Sequence, residues 1–478
     1  MTRFAGRPAG RPFADDYDAR FVPGGPPSAA AALISTGPRT GTRYVRGLGR
    51  HLALDDADED ATRVREAVIE RVRTGWARRD APRLDVTRNE HEADVFSVTG
   101  EVLVRTESWP DLRPEAEAAG LVEVPLGHPE LEGRILRLRR TGTQGGDLAA
   151  LVRGWRGQGH AVSMSYVTPL GGRPIMKPYS GGVSATVATF DAYQESGPLH
   201  GEGVTVAVID SGITAEVRTD GWLRDVERLP GDAPGTHGDD GNIDPLDADP
   251  QDGWLDVFAG HGTFVAGLVA RVAPGARIRV YKAIGPGGAG DELDVACALV
   301  RAVRDGADVV NLSLGTQTLL DEPSLALGAA LEVVREIEDE RGSTAVIVSA
   351  AGNYGDTTPT WPAAFGRVVA VGGLTTDLRP TTWSSRGPWV DLSTVAEGIV
   401  STFVRGSQNP AFGGGHTFED NAFACWLGTS FAAPQVSGAV ARTMTELGVD
   451  GPQAVRALLA AGKPVAGFGK ALHILPGA

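Results

Sequence analysis

Three residues of this 478-residue chain could together cleave an acyl bond, and each lies in a short frame that contains glycine. Asp210 follows an apolar run, His261 lies within Gly-His-Gly-Thr, and Ser430 lies within Gly-Thr-Ser-Phe-Ala-Ala-Pro. A carboxylate can orient an imidazole, the imidazole can accept a proton from a hydroxyl, and the hydroxyl oxygen can then attack a carbonyl carbon. The types and the order of these residues therefore predict nucleophilic acyl transfer.

The flanking patterns indicate which elements hold these residues. Asp210 ends a continuous apolar run, so we expect it at the carboxyl edge of a parallel sheet, where ligand crevices form. His261 and Ser430 each begin a helical pattern, which places them at the start of a rigid element. A fourth frame puts Asn353 after a buried strand, on a loop flanked by glycine, where its amide could donate a hydrogen bond to an oxyanion.

Continuous apolar runs alternate with helical patterns from about residue 201 onward. The runs are 204–209, 278–284, 307–314, 344–348 and 368–373, and the helical patterns are 262–272, 291–305, 323–340, 429–447 and 451–460. Strands that are apolar throughout are buried on both faces, which is typical of a parallel sheet covered by helices. The predicted fold class of residues 201–478 is therefore α/β, with a doubly wound, mostly parallel sheet and helices on both faces.

The chain before residue 201 has a different composition. Residues 1–43 contain few large apolar side chains, too few to offset the entropy lost on ordering, and are predicted to be disordered. Residues 44–93 show helical periodicity, and 94–170 show the order strand, helix, strand, helix, strand, which predicts a small α+β ferredoxin-like domain. Residues 171–200 are punctuated by glycine and proline and are predicted to be a linker.

The four frames together resemble those of the subtilisin-like (subtilase) serine peptidases, over about residues 203–448. The resemblance implies that Asp210 orients His261 and that the imidazole serves as general base and then as general acid. It implies that Ser430 attacks the scissile carbonyl while Asn353 holds the oxyanion. It also implies that the substrate is a polypeptide and that the fold is subtilisin-like.

Two further stretches are similar to the substrate-binding segments of this family. One would pair with an extended peptide through main-chain hydrogen bonds, and both would line the pocket for the residue before the cleaved bond. The residues concerned are Ser313, Leu314, Gly315, Ala350, Ala351, Gly352 and Tyr354. Small groups with Tyr354 at the rim, and no charge to attract Lys or Arg, predict a large apolar or aromatic residue at that position.

Residues 232–256 contain eight Asp and no Lys or Arg. Carboxylates interspersed with Gly and Asn suit Ca²⁺, although the spacing is not that of an EF-hand loop. The weak candidates for a structural calcium site are Asp244, Asp247, Asp249 and Asp252. A solvated acidic loop is the alternative, and zinc binding with His237 is a more distant one. No cofactor is expected for the chemistry itself.

Several hypotheses about function stay open at this stage. The leading one is a serine endopeptidase, made as an N-terminally inhibited zymogen if 94–170 is a propeptide-like domain and the linker contains a self-cleavage point. A permanently attached accessory domain is the alternative for 94–170, and the glycine-rich stretch 405–424 is either a mobile flap over the site or a passive loop.

Two rival classes share features with this hypothesis. A Ser-Glu-Asp peptidase of the sedolisin type is disfavoured because His261 stands where that class has Glu and Asn353 where it has Asp. A non-catalytic or partner-specific regulatory module on a subtilase fold is the other rival, since a fold alone does not establish activity.

Composition excludes further classes. A net charge of −15 and a pI of about 5.1 argue against partners such as nucleic acid or an anionic membrane surface. Two cysteines, Cys297 and Cys425, exclude a disulfide framework, although a single bridge between them stays open. Residues 1–30 contain no apolar run of signal-peptide length, and no segment is apolar over the length of a membrane span, so we expect a cytoplasmic protein. The sequence does not specify its oligomeric state.

Overall fold

The computed structural model describes residues 84–89, 91, 94–141, 147–169, 189–194, 200–230, 241–248, 251–285, 287–410 and 415–475. These residues form an N-terminal α+β unit and a larger α/β unit, which contains most of the main hydrophobic core. The disorder predicted for 1–43, the helix predicted over 44–83 and most of the linker predicted at 171–200 lie outside the described residues.

The N-terminal unit is a ferredoxin-like sandwich with one additional strand. Its strands and helices are β1 (Leu84–Arg88), β2 (Asp94–Arg105), α1 (Trp109–Ala118), β3 (Leu121–Val124), β4 (Ile135–Arg140), α2 (Leu148–Gly157) and β5 (Val162–Pro169). The strand order is β3-β4-β2-β5, with antiparallel pairs throughout, and β1 pairs with the first part of β2. From β2 onward this is the strand-helix-strand-strand-helix-strand order of the predicted fold class.

Two strands of this unit differ from the sequence-based expectation. Strand β1 lies within 44–93, where helical periodicity is predicted, and pairs with β2 in the register Val86↔Phe96. Leu84 and Val86 alternate with polar residues and pack toward the core, so this segment buries the face of a strand and not the stripe of a helix. Strand β3 was not predicted because four residues are too few to show a period.

The α/β unit is built on a large sheet. The strands of the whole α/β unit, of which eight form the large sheet, are β6 (Thr205–Asp210), β7 (Arg277–Lys282), β8 (Ala289–Asp291), β9 (Val309–Leu312), β10 (Val346–Ala350), β11 (Val368–Leu374), β12 (Leu392–Val395), β13 (Ile399–Thr402), β14 (Gly406–Ser407), β15 (Thr417–Phe418), β16 (Phe423–Trp426), β17 (Lys463–Pro464) and β18 (Lys470–Ala471). Within the described residues the sheet order is β17-β18-β12-β11-β10-β9-β6-β7, parallel except where β17 meets β18. The predicted apolar runs coincide with β6, β7, β9, β10 and β11, which confirms the mostly parallel sheet.

In the α/β unit, helix α4 packs against α7 and helix α5 against α6, and α4, α5 and α7 contact strands of the large sheet. The helices are α3 (Phe190–Gln194), α4 (His261–Val272), α5 (Glu292–Arg304), α6 (Leu325–Arg341), α7 (Ala433–Leu447) and α8 (Gly451–Ala461). Side chains of Asp291, Ser324 and Asp450 accept main-chain N–H groups in the first turns of α5, α6 and α8, which defines where these helices begin. Thr429–Phe431 forms a separate 3-10 turn before α7.

The two units are joined through strand β5 and helices α5 and α6. Strand β5 pairs antiparallel with β8, in the register Val167↔Asp291. The main-chain N–H of Tyr166 donates to Glu292 at 2.7 Å, and the Tyr166 hydroxyl donates to Glu322. Arg105 forms an ion pair with Glu332 on α6. The N-terminal unit therefore continues the hydrogen bonding of the larger unit and does not merely touch its surface.

The glycine-rich stretch 405–424 includes a small hairpin of β14 and β15. Strands β13 and β16 bracket this stretch and pair with each other, and β16 leads directly into the turn that carries Ser430. At the base, Phe403 and Val404 lie so close to Gly260 that a Cβ there would approach them to 3.0 and 2.8 Å. Within the stretch, the carbonyl of Ser407 accepts the N–H of Leu255 at 2.8 Å, so the stretch packs against the segment before His261. Its role as a flap stays a prediction.

Candidate active site

Asp210 is the last residue of β6 and is fully buried. Its Oδ1 lies 2.7 Å from Nδ1 of His261 and also accepts the N–H of Ser211 at 2.7 Å. Its Oδ2 has no hydrogen-bond partner among the described residues. The strand end therefore holds a carboxylate in contact with an imidazole, at the sheet edge where the sequence predicts it.

His261 is the first residue of α4, and its side chain is almost completely buried. Gly260 before it has a φ of 78°, a left-handed conformation that suits glycine at the helix start. The rings of Trp426, Phe431 and Phe258 lie with centroids 5.4, 5.3 and 6.3 Å from the imidazole. Because the Asp210 carboxylate accepts at Nδ1, the ring proton belongs on that nitrogen and Nε2 is left as the basic site.

Ser430 lies in the 3-10 turn before α7 and is buried to 4% exposure. Its hydroxyl donates to the main-chain carbonyl of Ser313 at 3.0 Å, and the Ser313 hydroxyl donates to the carbonyl of Ser430 at 2.7 Å. This reciprocal pair fixes the turn against the end of β9. In the structure, therefore, the hydroxyl of Ser430, the predicted nucleophile, donates its hydrogen bond to the Ser313 carbonyl and not to the imidazole of His261.

Asn353 lies on the loop after β10 and is connected to the residue before Ser430. Its Oδ1 accepts the main-chain N–H of Thr429 at 2.9 Å and the Thr429 hydroxyl at 2.8 Å. The same threonine oxygen accepts the N–H of Gly352 at 3.1 Å. With its oxygen used in this way, the amide of Asn353 is held in one orientation, and its nitrogen is the group left to donate outward.

The predicted substrate-binding segments leave adjacent strands side by side. Strands β9 and β10 are parallel, in the register Leu312↔Ser349, so 313–315 and 350–352 continue together. A Cβ on Gly315 would approach Thr360 Cγ2 to 2.8 Å, and a Cβ on Gly352 would approach Thr360 Oγ1 to 2.9 Å. Both segments thus converge on Thr360, which no sequence pattern indicated.

The remaining pocket residues have distinct surroundings. Leu314 belongs to the main core, so its side chain faces inward and only its main chain can meet a peptide. Ala350 and Ala351 are buried small side chains, and Tyr354 is half-buried, with its N–H donating to Ser385 Oγ at 3.2 Å. Small groups are therefore brought together here, and the preference for an apolar residue before the cleaved bond stays a prediction.

The described carboxylates of the acidic stretch accept hydrogen bonds from nearby groups. Asp247 accepts the N–H groups of Asp252 and Gly253 at 3.1 and 2.9 Å, and Asp252 accepts that of Trp254 at 3.0 Å. Asp244 is buried apart from them, and Asp249 lies outside the described residues. Within the part of the chain that the structure describes, no three His, Cys, Asp or Glu side chains form a metal-binding group. Calcium binding stays a prediction.

Neither cysteine offers a second nucleophile. Both are buried and unbridged, and burial raises the pKa of the Cys425 thiol to about 12, which disfavours the reactive thiolate. Burial also raises the pKa of Cys297.

Over the described residues, no helix combines the length and apolar character needed to cross a bilayer.

Similarity to known proteins covers the α/β unit. A family model described as the subtilase family matches residues 201–467. A thermophilic serine proteinase of Bacillus sp. (strain AK1) is 32% identical over 212 residues, covering 42% of this chain and 44% of that protein. Subtilisin Savinase of Lederbergia lenta is 30% identical over 253 residues, covering 51% of this chain and 77% of that protein.

A solved structure extends the similarity to the fold. Fervidolysin from Fervidobacterium pennivorans, described as a keratinolytic enzyme related to subtilisin, is similar with a TM-score of 0.53 at 20% identity, covering 78% of this chain and 60% of that chain. At this identity the likeness concerns the fold alone. This chain spans less than half the length of the Bacillus proteinase and about three quarters of Savinase. Since the family model matches more than half of the chain, the chain belongs to the subtilase family.

Proposed function

We propose that this chain is a serine endopeptidase with Asp210, His261 and Ser430 as its catalytic triad. The observation that carries the proposal is the buried 2.7 Å contact between the Asp210 carboxylate and His261 Nδ1. That contact leaves Nε2 as a base within an aromatic enclosure that includes Phe431, the neighbour of Ser430. Membership of the subtilase family supports the same assignment.

The proposed reaction begins with a rotation of the Ser430 side chain, which moves its hydroxyl from the Ser313 carbonyl to His261 Nε2. The serine oxygen gives its proton to Nε2 and forms a bond to the substrate carbonyl carbon. Asp210 stabilises the imidazolium that results. Asn353 Nδ2 and the main-chain N–H of Ser430, which lies in a first helical turn, donate to the negatively charged carbonyl oxygen.

Collapse of this tetrahedral intermediate completes the acyl transfer. The imidazolium of His261 gives its proton to the leaving amine nitrogen, the carbon–nitrogen bond breaks, and an ester to Ser430 remains. A water molecule then loses its proton to Nε2 and attacks the ester carbonyl. Release of the acid product returns the proton to the serine oxygen. No cofactor takes part in this sequence.

Covalent labelling tests the assignment directly. The full chain should react with a fluorophosphonate probe and hydrolyse an unstructured polypeptide such as casein, and Ser430→Ala should abolish both. The matched control is Ser401→Ala, because Ser401 is also buried and also donates to a main-chain carbonyl, that of Phe264 at 2.7 Å. The control should keep labelling, whereas labelling that survives Ser430→Ala would refute the assignment.

We also propose that the N-terminal unit acts as a propeptide domain. Its β5 pairs with β8 of the α/β unit, and its Tyr166 is bonded to Glu292 and Glu322 there. These contacts support a role in which the unit assists folding of the α/β unit. Purified full chain should then be trimmed after the unit, and Ser430→Ala should stay intact. Trimming of pure Ser430→Ala protein would contradict self-processing.

The pocket supports a further proposal about specificity. Ala350, Ala351 and Gly352 are small and carry no charge that would attract Lys or Arg, so we expect cleavage after large apolar or aromatic residues. Mass spectrometry of fragments from a peptide library would measure this preference. A cleavage profile dominated by Lys or Arg before the cleaved bond would contradict it.

A further inference from the structure

A buried carboxylate lies behind the proposed triad and makes three hydrogen bonds. Asp244 is 2% exposed. Its Oδ2 accepts the hydroxyl of Ser211 and the main-chain N–H of Gly260, both at 2.9 Å. Its Oδ1 accepts the N–H of Leu246 at 3.1 Å. Every one of these partners is a donor, and this set is matched only by an ionised carboxylate, which has acceptors alone.

The partners of Asp244 flank the two residues that form the carboxylate–imidazole contact. Ser211 directly follows Asp210, and Gly260 directly precedes His261. The hydroxyl of Ser211 accepts the N–H of Gly262 at 3.1 Å, so a second connection runs from Asp244 through Ser211 to the far side of His261. The Asp244 carboxylate thus connects the end of β6 to the start of α4, directly through Gly260 and through Ser211 to Gly262, the residues before and after His261.

The main chain around Asp244 is held as firmly as its side chain. The N–H of Ile213 donates to the Asn242 carbonyl at 2.8 Å, and the N–H of Asp244 donates to the Ile213 carbonyl at 2.9 Å. A Cβ on Gly212 would approach the Asn242 carbonyl oxygen to 2.6 Å, and a Cβ on Gly262 would approach the Gly212 oxygen to 2.1 Å. Three main-chain segments are in close contact here, so they cannot shift independently. A change at Asp244 should therefore displace the residues of the proposed triad.

We propose that Asp244 is a positioning residue, which sets the distance and orientation between the Asp210 carboxylate and the His261 imidazole. The proposal rests on the proposed peptidase function, because it assigns a role within that triad. Small displacements of catalytic groups are costly to turnover, so a residue that fixes their spacing acts mainly on kcat. Asp244 has no such role in the sequence pattern, which offers it only as a candidate calcium ligand.

The buried position of Asp244 and its three hydrogen-bond donors are consistent with a positioning role. Burial, with Asp210 nearby, raises the pKa of Asp244 to about 6, while the three donors favour the charged form. An Asn at this position keeps the shape of the side chain but must direct an NH₂ group either at the Leu246 N–H or at the Gly260 N–H and Ser211 hydroxyl. At least one hydrogen bond is therefore lost without any loss of volume.

The test compares Asp244→Asn with Asp308→Asn in the full chain. Asp308 is the matched control because its carboxylate accepts the N–H of Thr205 at 2.8 Å, at the opposite end of β6 from Asp210. With a chromogenic peptide, Asp244→Asn should lower kcat by about 10- to 100-fold and change KM by less than about twofold. Asp308→Asn should change kcat by less than about twofold.

A spectroscopic measurement makes the test independent of turnover. In a Ser430→Ala background, the low-field NMR signal of the His261 Nδ1 proton reports its hydrogen bond to Asp210. Asp244→Asn should shift or broaden this signal, and Asp308→Asn should leave it in place. A merely structural role of Asp244 would lower the unfolding temperature without moving this signal.

Each outcome decides the proposal. Unchanged kcat and an unchanged His261 signal in folded Asp244→Asn protein would overturn it. If Asp244→Asn does not fold, Ser211→Ala removes only the hydroxyl connection, and it should lower kcat by about three- to tenfold and shift the same signal, or the proposal fails. If the unsubstituted chain shows no Ser430-dependent hydrolysis, the proposed function fails, and the NMR comparison still shows whether Asp244 positions the Asp210–His261 pair.

Discussion

Two sets of buried carboxylates in this protein face different kinds of partner. The site carboxylates, Asp210 and Asp244, accept hydrogen bonds from groups within the α/β unit that lie beside the triad residues. The docking carboxylates, Asp291, Glu292 and Glu322, lie where the N-terminal unit meets the larger unit, and Glu292 and Glu322 accept hydrogen bonds from Tyr166. The first set contacts an imidazole and the residues beside it, whereas the second connects two units.

Two of the docking carboxylates, Asp291 and Glu292, have pKa values that burial raises strongly. Burial raises the pKa of Asp291 to about 7 and that of Glu292 to about 8. The nearby Asp294 raises the pKa of Asp291 further, and Arg137 opposes the shift. We therefore expect burial of the same chemical group to affect turnover in one place and the pH dependence of stability in the other. The two sets should respond to substitution in different assays.

The largest expected effect is the loss of turnover on replacing Asp210, which belongs to the site carboxylates. Asp210→Asn replaces the acceptor at His261 Nδ1 with an amide that can donate and thereby favour the wrong tautomer of the imidazole. We expect kcat for a peptide substrate to fall by about 10⁴-fold. Asp308→Asn is the control and should retain activity, because the Asp308 carboxylate accepts the N–H of Thr205 at the other end of β6. A loss below about tenfold would mean that Asp210 is not the orienting carboxylate.

A smaller loss of turnover is expected on removing the proposed oxyanion donor, Asn353. Asn353→Ala removes the amide nitrogen and the acceptor of the Thr429 N–H, and we expect kcat to fall by about 10²–10³-fold, a scale that comes from subtilisin itself. Steady-state kinetics would measure it, with KM nearly unchanged. A rise in KM at constant kcat would instead assign Asn353 to substrate binding.

The docking set is tested by the pH dependence of stability. The folded chain keeps Glu292 protonated up to about pH 8, while an unfolded chain loses this proton near the ordinary value of 4.5. The folded form therefore binds more protons in that window, so the free energy of unfolding should fall as pH rises from about 5 to 8. One fully linked proton contributes a slope of about 1.4 kcal/mol per pH unit.

Glu292→Gln should flatten this slope. Urea unfolding of Ser430→Ala protein at several pH values would measure it, since that background avoids self-digestion. The same substitution in a chain with Ser430 intact should leave kcat within about threefold, because Glu292 accepts hydrogen bonds from Tyr166 and Ser324, which lie outside the proposed triad. An unchanged slope would show that Glu292 does not keep its proton when the chain folds.

The smallest effect is expected at the rim of the contact between the units. Arg134 pairs with Glu336 at 2.5 Å, and the Glu336 side chain is 59% exposed. Arg134→Met should lower the free energy of unfolding by less than about 1 kcal/mol, and high salt should remove the difference. A larger loss would mean that the ion pairs at the rim, and not the buried carboxylates, hold the two units together.

Much of the α/β unit was predictable because its signals are local. Strands β6, β7, β9, β10 and β11 are apolar runs that can be recognised without knowing their neighbours, and their carboxyl ends must share an edge. The helix that begins at His261 and the loop with Asn353 were placed by the same reasoning. Strands β1 and β3 were not, because short segments take their conformation from pairing partners.

The sequence by itself determined the chemical groups of the site, their order and the fold that carries them, because residue type and apolar periodicity are properties of short segments. Only the tertiary structure decided which groups touch. It showed that the Ser430 hydroxyl donates to the Ser313 carbonyl and that Asn353 accepts the N–H of Thr429. It also showed that Asp244 accepts hydrogen bonds from both Ser211 and Gly260. These contacts join residues far apart in the chain, and their hydrogen bonds depend on distances of a few tenths of an ångström that no spacing in the sequence encodes.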